Sequence, residues 1–337
     1  MHLKHMISVV DSHTAGEPTR IIVDGFGEVP GNTMAERMDY LRTSKDWLRK
    51  SLMREPRGHR DMFGGILLPP LDPTANASVI FMDGGLYYNM CGHASLGICA
   101  MLVETGRIEC TPPLTTVRLE TPAGIVEGKV ATDPGGRITG VSVVDVPSFA
   151  WAIDQEIEVP GIGKTKVDIS FGGNFFVIVD AEELGIQSID PEHTSDLIRL
   201  GIKVRTAANE SIKVQHPVQE HIKTIDICMI TAPPSGPHAD ARNIVILGEA
   251  QADRSPCGTG TCARMALLHR KGQLAVGQPF CHESSICSVF DGVIMQETTV
   301  DGLLAVIPHI SCRPFLTGFH QFVIDPDDPF AEGFALV

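Results

Sequence analysis

Two stretches of this chain carry the same local pattern, and that pattern restricts the fold more than any other feature. In "MDGGLYYNMCGHASLG" (82–97) Cys91 stands directly before Gly92 and His93, and in "DRSPCGTGTCARMALL" (253–268) Cys257 stands directly before Gly258 and Thr259. A β-branched run ends shortly before each cysteine. An apolar helical pattern follows each, through Leu96, Met101 and Leu102 in the first and Met265, Leu267 and Leu268 in the second. Each pattern stops at a glycine, Gly106 or Gly272, fifteen residues after its cysteine. Glycine closes helices because it enters the left-handed conformation without a Cβ clash. Strand, turn, N-terminal cysteine, helix and glycine stop, used twice, predict two lobes built on one plan.

At 337 residues the chain is long enough for two such lobes, each with a core of its own. Hydrophobic residues at 43% and charged residues at 20% describe an ordinary globular protein. Short β-branched runs between turn signals predict strands at 6–10, 19–26, 77–82, 115–124, 140–147, 166–181, 223–230, 241–248 and 302–310. Helical patterns are fewer: 35–53, roughly 192–210, and the two stretches after the cysteines. Strands outnumber helices, so the expected class is α+β, with sheets curled around a few helices. "ETPAG" (120–124) is a candidate crossing between lobes. The first lobe is then expected over 1–122 plus about 312–337, and the second over about 123–311.

A net charge of −14 opposes a phosphate backbone, which excludes nucleic acid as the expected partner. No apolar run approaches the length that spans a bilayer, so no membrane is expected either. The segment "MHLKHMISVVDSHTAG" has no apolar core or small-residue cleavage site of a secretory signal, and the cytoplasm is the expected location. Nine scattered cysteines, an odd number, read as thiols rather than as a disulfide framework.

A helix start supplies unpaired amides and the positive end of the dipole, which favour a thiolate and lower a cysteine's pKa. The glycines beside Cys91 and Cys257 let backbone N–H groups approach a ligand. The other seven cysteines read as small buried apolar residues. If two such helix starts face each other, a carboxylate is held by both sets of amides, with a thiol on each side of its α-carbon. One thiolate then removes the α-proton while the other thiol protonates the opposite face, and the amides stabilise the charge that grows on the carboxylate.

The pieces "DSHTAGEPTRI" (11–21), "REPRGHRDMFGG" (54–65), "MDGGLYYNMCGH" (82–93), "DISFGGNFF" (168–176) and "DRSPCGTGT" (253–261) resemble the proline racemase family, which includes hydroxyproline 2-epimerases and trans-3-hydroxyproline dehydratases. The resemblance runs over essentially the whole chain. It implies the diaminopimelate epimerase-like fold: two pseudo-symmetric lobes, each a curved, mostly antiparallel sheet around a central helix, with the active site between them. It implies no cofactor and no metal, and the expected assembly is a homodimer. Matched position by position, Cys91 and Cys257 are the catalytic thiols. Gly92 and His93 form one carboxylate-binding segment, Gly258 and Thr259 the other, and Asp253 receives the ring nitrogen. Dehydratases of the family carry threonine at the second thiol position, so Cys257 points away from dehydration and towards racemisation of proline, with 4-hydroxyproline 2-epimerisation as the alternative. Two departures stand out. "CGHASLG" replaces the commoner "CGHGTIG", and Leu247 stands where proline racemases carry phenylalanine against the ring, while Phe63 keeps the other pocket phenylalanine.

Other readings are weaker. "GTGTCA" (258–263) satisfies a dinucleotide-binding pattern, but "EAQADRSPC" separates it from the preceding strand. Residues two apart on a helix diverge by about 200°, so His93 need not touch the Cys91 sulfur, and a cap or backbone-bonded role is expected for it ahead of a base for Cys91. "HPVQEH" (216–221) lacks metal-ligand spacing. His13 and His59 are candidate supporting groups. "EPRGHRD" (55–61) reads equally as a site loop or a solvated loop. A non-catalytic amino-acid-binding homologue would lack use for an intact thiol pair.

Overall fold

The computed structural model describes residues 5–248 and 250–335. It divides into two compact units, one of residues up to Val141 together with those from Arg313 on, the other running from Ser142 to Cys312. The first unit opens with strands β1 (His5–Thr14) and β2 (Glu17–Asp24) and crosses through helices α1 (Met34–Ser44) and α2 (Asp46–Met53) to β3 (Phe63–Leu68). It continues with β4 (Ala77–Asp83), the short β5 (Tyr87–Tyr88), helix α3 (Gly92–Glu104), β6 (Leu114–Thr121), β7 (Gly124–Thr132) and β8 (Ile138–Val144), within which the units divide. The second unit holds β9 (Phe149–Val159), β10 (Gly163–Phe171), β11 (Phe175–Asp180), α4 (Thr194–Ser211), β12 (Ile225–Ala232), β13 (Ala241–Leu247), β14 (Gln251–Asp253), α5 (Gly258–Arg270), β15 (Pro279–Ser284), β16 (Val289–Val300) and β17 (Leu303–Cys312). The chain returns to the first unit as β18 (Pro314–Ile324), antiparallel to β1.

The strand pairings repeat. An antiparallel pair, β1 with β2, is followed by a helical crossover to β3, which lies parallel to β2. In the second unit β10 and β11 are antiparallel, and α4 carries the chain to β12, parallel to β11. Next comes an antiparallel turn, β3 to β4 in one unit and β12 to β13 in the other. The cysteine-led helix then delivers a parallel strand, β6 beside β4 through α3 and β15 beside β13 through α5. Both units close this stretch with an antiparallel partner, β7 or β16.

The central helix of each unit is buried almost all round. Every residue of α3 from Gly92 to Val103 is buried, and it packs against β1, β2, β6, β7 and β18. Helix α5 is buried from Gly258 to Leu267 except at Arg264, among β9, β10, β11, β16 and β17. Such helices are apolar without an exposed stripe because the strands cover every side. Each of Leu96, Ile98, Met101 and Leu102, nearly or fully buried, contributes about 1.5–3 kcal/mol. Both helices are thirteen residues long and stop at the glycines expected, Gly106 at φ +69° and Gly272 at φ +72°.

Two sequence expectations need correction. The crossing between units is not at 122. Strands β6 and β7 are a hairpin registered from Leu114 opposite Ala131 to Thr121 opposite Gly124, so "ETPAG" is its tight turn, and both strands bury alternate residues beside α3 in the first unit. The single helix over 35–53 is two, broken at Lys45, whose backbone leaves the helical region and whose ammonium donates to the carbonyls of Phe26 (2.7 Å) and Glu28 (2.8 Å). Among the described residues no helix is long and apolar enough to cross a membrane.

Candidate active site

In the first unit Cys91 is the residue immediately before α3, with extended backbone (φ −147°, ψ 116°), and its carbonyl accepts the Ser95 amide at 3.0 Å. The sulfur lies 3.2 Å from Nδ1 of His93. This corrects the expectation that the two side chains diverge. The helical-wheel angle holds only when both residues are helical, and Cys91 precedes the helix. Depending on its tautomer, the imidazole nitrogen can take the thiol proton or donate to the thiolate.

His93 is held through its backbone and through its ring. Its own carbonyl accepts the Thr14 hydroxyl at 2.9 Å, and the ring meets the first residue of β3, Phe63, edge-on with centroids 4.9 Å apart. Phe63 leans on Tyr88 at 5.5 Å, and the Tyr88 phenol donates to the buried carboxyl of Asp83. Burial pushes the Asp83 carboxyl up from the usual range, against the lowering effect of the Tyr88 phenol and of the Leu86 and Gly85 amides.

In the second unit Cys257 immediately precedes α5, but with φ +64° and ψ 114°, a conformation that costs a residue with a Cβ of order 1–3 kcal/mol. Its amide donates to Ser255 Oγ at 3.0 Å, and the Ser255 amide to Asp253 Oδ1 at 2.8 Å. The sulfur accepts the Gly260 amide at 3.4 Å and lies 3.7 Å from the Thr259 hydroxyl. Burial first, and the Asp253 carboxylate second, push the Cys257 thiol well above its ordinary value. The general expectation that a helix start lowers a cysteine's pKa therefore fails at this position. The Thr259 hydroxyl and Gly260 amide do favour the thiolate, but full desolvation and a neighbouring negative charge outweigh them. Cys257 is a neutral thiol at pH 7.

Asp253 closes β14 opposite Val245 of β13, so its side chain shares a sheet face with Leu247, two residues further along β13. Both are buried. The structure thus gathers Cys91, Gly92, His93 and Phe63 within the first unit, and Cys257, Gly258, Thr259, Asp253 and Leu247 within the second. The first-turn amides of α3 and α5 have no intrahelical partner by construction.

The turn of "DISFGGNFF" between β10 and β11 presses on the first turn of α5. A Cβ at Gly172 would stand 2.2 Å from the Thr259 carbonyl oxygen and 2.6 Å from the Ala263 amide nitrogen, backbone atoms that cannot yield. Gly172→Ala is therefore expected to cost about 1–3 kcal/mol of stability, the usual range for overpacking, and to lower activity by shifting α5. Chemical denaturation together with kcat measures both, and a variant with native stability would contradict the close approach.

Other sequence candidates sit elsewhere. His13 stacks on Phe315 at the end of β1 and accepts the Gly16 amide. The His59 ring turns back on the Asp61 amide. "EPRGHRD" is tied down by arginine: Arg57 donates to the Val323 carbonyl and pairs with Asp328 at 2.8 Å, and the preceding Arg54 holds the Gly84 carbonyl at 2.7 Å. Among the described residues no three His, Cys, Asp or Glu side chains converge in a way that could hold a metal ion. Sequence reading missed Thr14, Asn243, Ser255, Thr261 and His282, all buried and hydrogen-bonded around the two helix starts. Ser255 and Thr261 lay inside a quoted motif, where polar residues flanking a buried cysteine were the available signal; nothing local marks His282 or Asn243.

The family model described as "Proline racemase" matches residues 9–335. Proline racemase of Clostridioides difficile is 46% identical over 336 residues, covering 100% of both chains. The 4-hydroxyproline 2-epimerase of Streptosporangium roseum is 42% identical, again over 100% of both. A crystal structure of a hydroxyproline epimerase from Agrobacterium vitis, with bound trans-4-OH-L-proline, superposes with a TM-score of 0.94 at 33% identity, covering 100% of this chain and 96% of that one.

Proposed function

The chain belongs to the proline racemase family, and from that premise we propose that it interconverts the enantiomers of proline by a two-base reaction in which Cys91 and Cys257 are the bases. The observation that carries the reading is a pair of unlike thiols at equivalent places in two matching units. Cys91 lies beside an imidazole nitrogen, and Cys257 is held neutral by burial and Asp253. In one direction the Cys91 thiolate takes the α-proton as the C–H bond breaks, and the Cys257 thiol delivers its proton to the opposite face. The enzyme is left with the two protonation states exchanged, the form that turns over the other enantiomer. On this reading the first-turn amides at Gly92, His93, Gly258 and Thr259 stabilise charge growing on the carboxylate, and Asp253 receives the ring ammonium.

Proline is the preferred substrate on this reading because the groups assigned to the ring are apolar or already engaged. Phe63 and Leu247 offer no hydrogen bond, and the phenol beside Phe63 donates to Asp83. A hydroxyl without a partner costs about 1–3 kcal/mol, or roughly ten- to a hundredfold in kcat/KM. The alternative, 4-hydroxyproline 2-epimerisation, draws on the relatives named for that activity. Assaying L-proline and trans-4-hydroxy-L-proline by chiral detection, with α-deuterium exchange in heavy water, tests the proposal; a wild-type preference for hydroxyproline would reverse the order. Leu247→Phe is expected to sharpen the preference for proline by filling the space beside the ring, read as the ratio of kcat/KM values. The proposal also comprises a cytoplasmic homodimer that keeps full activity after exhaustive chelation and without any added cofactor.

A further inference from the structure

Attached to the Cys257 carbonyl is a chain of buried polar groups to which the two-base reaction assigns no part. The carbonyl of Cys257 accepts the Thr261 amide at 2.7 Å and also the Thr261 hydroxyl at 2.8 Å. That hydroxyl in turn lies 2.9 Å from Nδ1 of His282, on β15. Thr261 has one hydroxyl hydrogen, and with it given to the Cys257 carbonyl, the oxygen accepts from His282 Nδ1–H. This leaves Nε2 bare. His282 is wholly inaccessible, and among the described residues its Nε2 has no hydrogen-bond partner. One residue before the cysteine, the Pro256 carbonyl accepts Asn243 Nδ2 at 2.8 Å.

A buried imidazole with an unmet nitrogen is a cost, and it stands next to a second cost, the strained backbone of Cys257. A residue stays in such a conformation only when its surroundings over-determine it. Here the amide of Cys257 is held by Ser255, its carbonyl by Thr261 backed by His282, and the preceding carbonyl by Asn243. Cys91, whose backbone is ordinary extended chain, needs no such bracing.

We propose that Thr261 and His282 are positioning residues for Cys257, bracing its strained peptide so that the sulfur keeps the direction proton transfer requires. The proposal rests on the reading of Cys257 as a catalytic thiol. Burial, with the Arg264 charge adding to it, holds His282 down to about 3, so the imidazole stays neutral and the brace does not change near neutral pH.

The test uses Thr261→Val, which keeps the shape and removes the hydroxyl, with Thr261→Ser as the conservative rescue, and His282→Leu paired with His282→Asn. Thr261→Val is expected to lower kcat roughly ten- to a hundredfold, the usual cost of misplacing a reacting group, with KM little changed. The α-deuterium isotope effect should rise for the enantiomer whose proton goes to Cys257 and not for the other. Alkylation by iodoacetamide, mapped by mass spectrometry, should change in rate at Cys257 and not at Cys91, and Thr261→Ser should restore both readouts. Unchanged kcat in Thr261→Val, equal changes at both cysteines, or failure of serine to rescue would each overturn the proposal. If His282→Leu does not fold, the Thr261 pair decides alone. Should the wild type racemise neither imino acid, the functional reading falls, while the site-resolved alkylation still decides whether Thr261 directs the Cys257 sulfur.

Discussion

Cys91→Ser and Cys257→Ser are each expected to lower racemisation of proline by about 10²–10⁴-fold or more, the range lost with a general acid or base. A hydroxyl is a far weaker acid than a thiol, so serine neither holds the proton loosely enough to deliver it nor exists as a base near neutral pH. The substitution is nearly isosteric, and at position 257 a hydroxyl can still accept the Gly260 amide that now reaches the sulfur, so the fold should survive. The two variants should also differ in a way that simple inactivation does not produce. With one thiol left, solvent deuterium can still enter the enantiomer whose α-proton faces that thiol, without inversion. Chiral chromatography with mass detection in heavy water reads both quantities. Near-native racemisation by either variant would remove the two-base assignment.

Acid should unfold the second unit through His282. An imidazole in the unfolded chain takes a proton near 6.5, whereas in the folded protein burial, helped by Arg264, holds it off until about 3. Above 6.5 both states are neutral and the group contributes nothing to the pH dependence. Between 6.5 and 3 the unfolded chain binds the extra proton, so stability falls as pH falls. At pH 4 the loss amounts to about 3 kcal/mol, from roughly 2.5 pH units at 1.36 kcal/mol each. His216, lowered to about 4 chiefly by burial, adds to the slope, so the informative quantity is a difference between proteins. Urea unfolding at pH 7 and pH 4 should show wild type losing about 3 kcal/mol more than His282→Asn over that interval. Equal losses would mean that the ring is not held neutral by the fold.

Local pattern alone determined the two helix starts, their glycine stops and most of the strands inside each unit. Glycine at φ +69° and +72°, alternating β-branched residues and an all-apolar helix body act over a few residues, and each preference agrees with what its neighbours require. Some of the strands not expected from the sequence carry weak signals. β16 and β18 are largely exposed, and β9 is exposed through its middle, so little hydrophobic alternation marks them, whereas β3, β7 and β15 are well buried and were passed over although β7 alternates. Long-range partners decided the rest. Whether "ETPAG" links two units or turns a hairpin depends on β7 having β6 as its partner, and whether 35–53 is one helix or two depends on carbonyls at Phe26 and Glu28 capturing Lys45. The placing of Cys91 and Cys257 directly before two helices was legible because that motif is local. The contact of His93 with Cys91 was not, because it turns on the backbone of one residue outside the helix. Nor was the neutral state of Cys257, or the bracing of its peptide by a histidine more than twenty residues away, since desolvation, a nearby carboxylate and a packed strand exist only once the chain is folded.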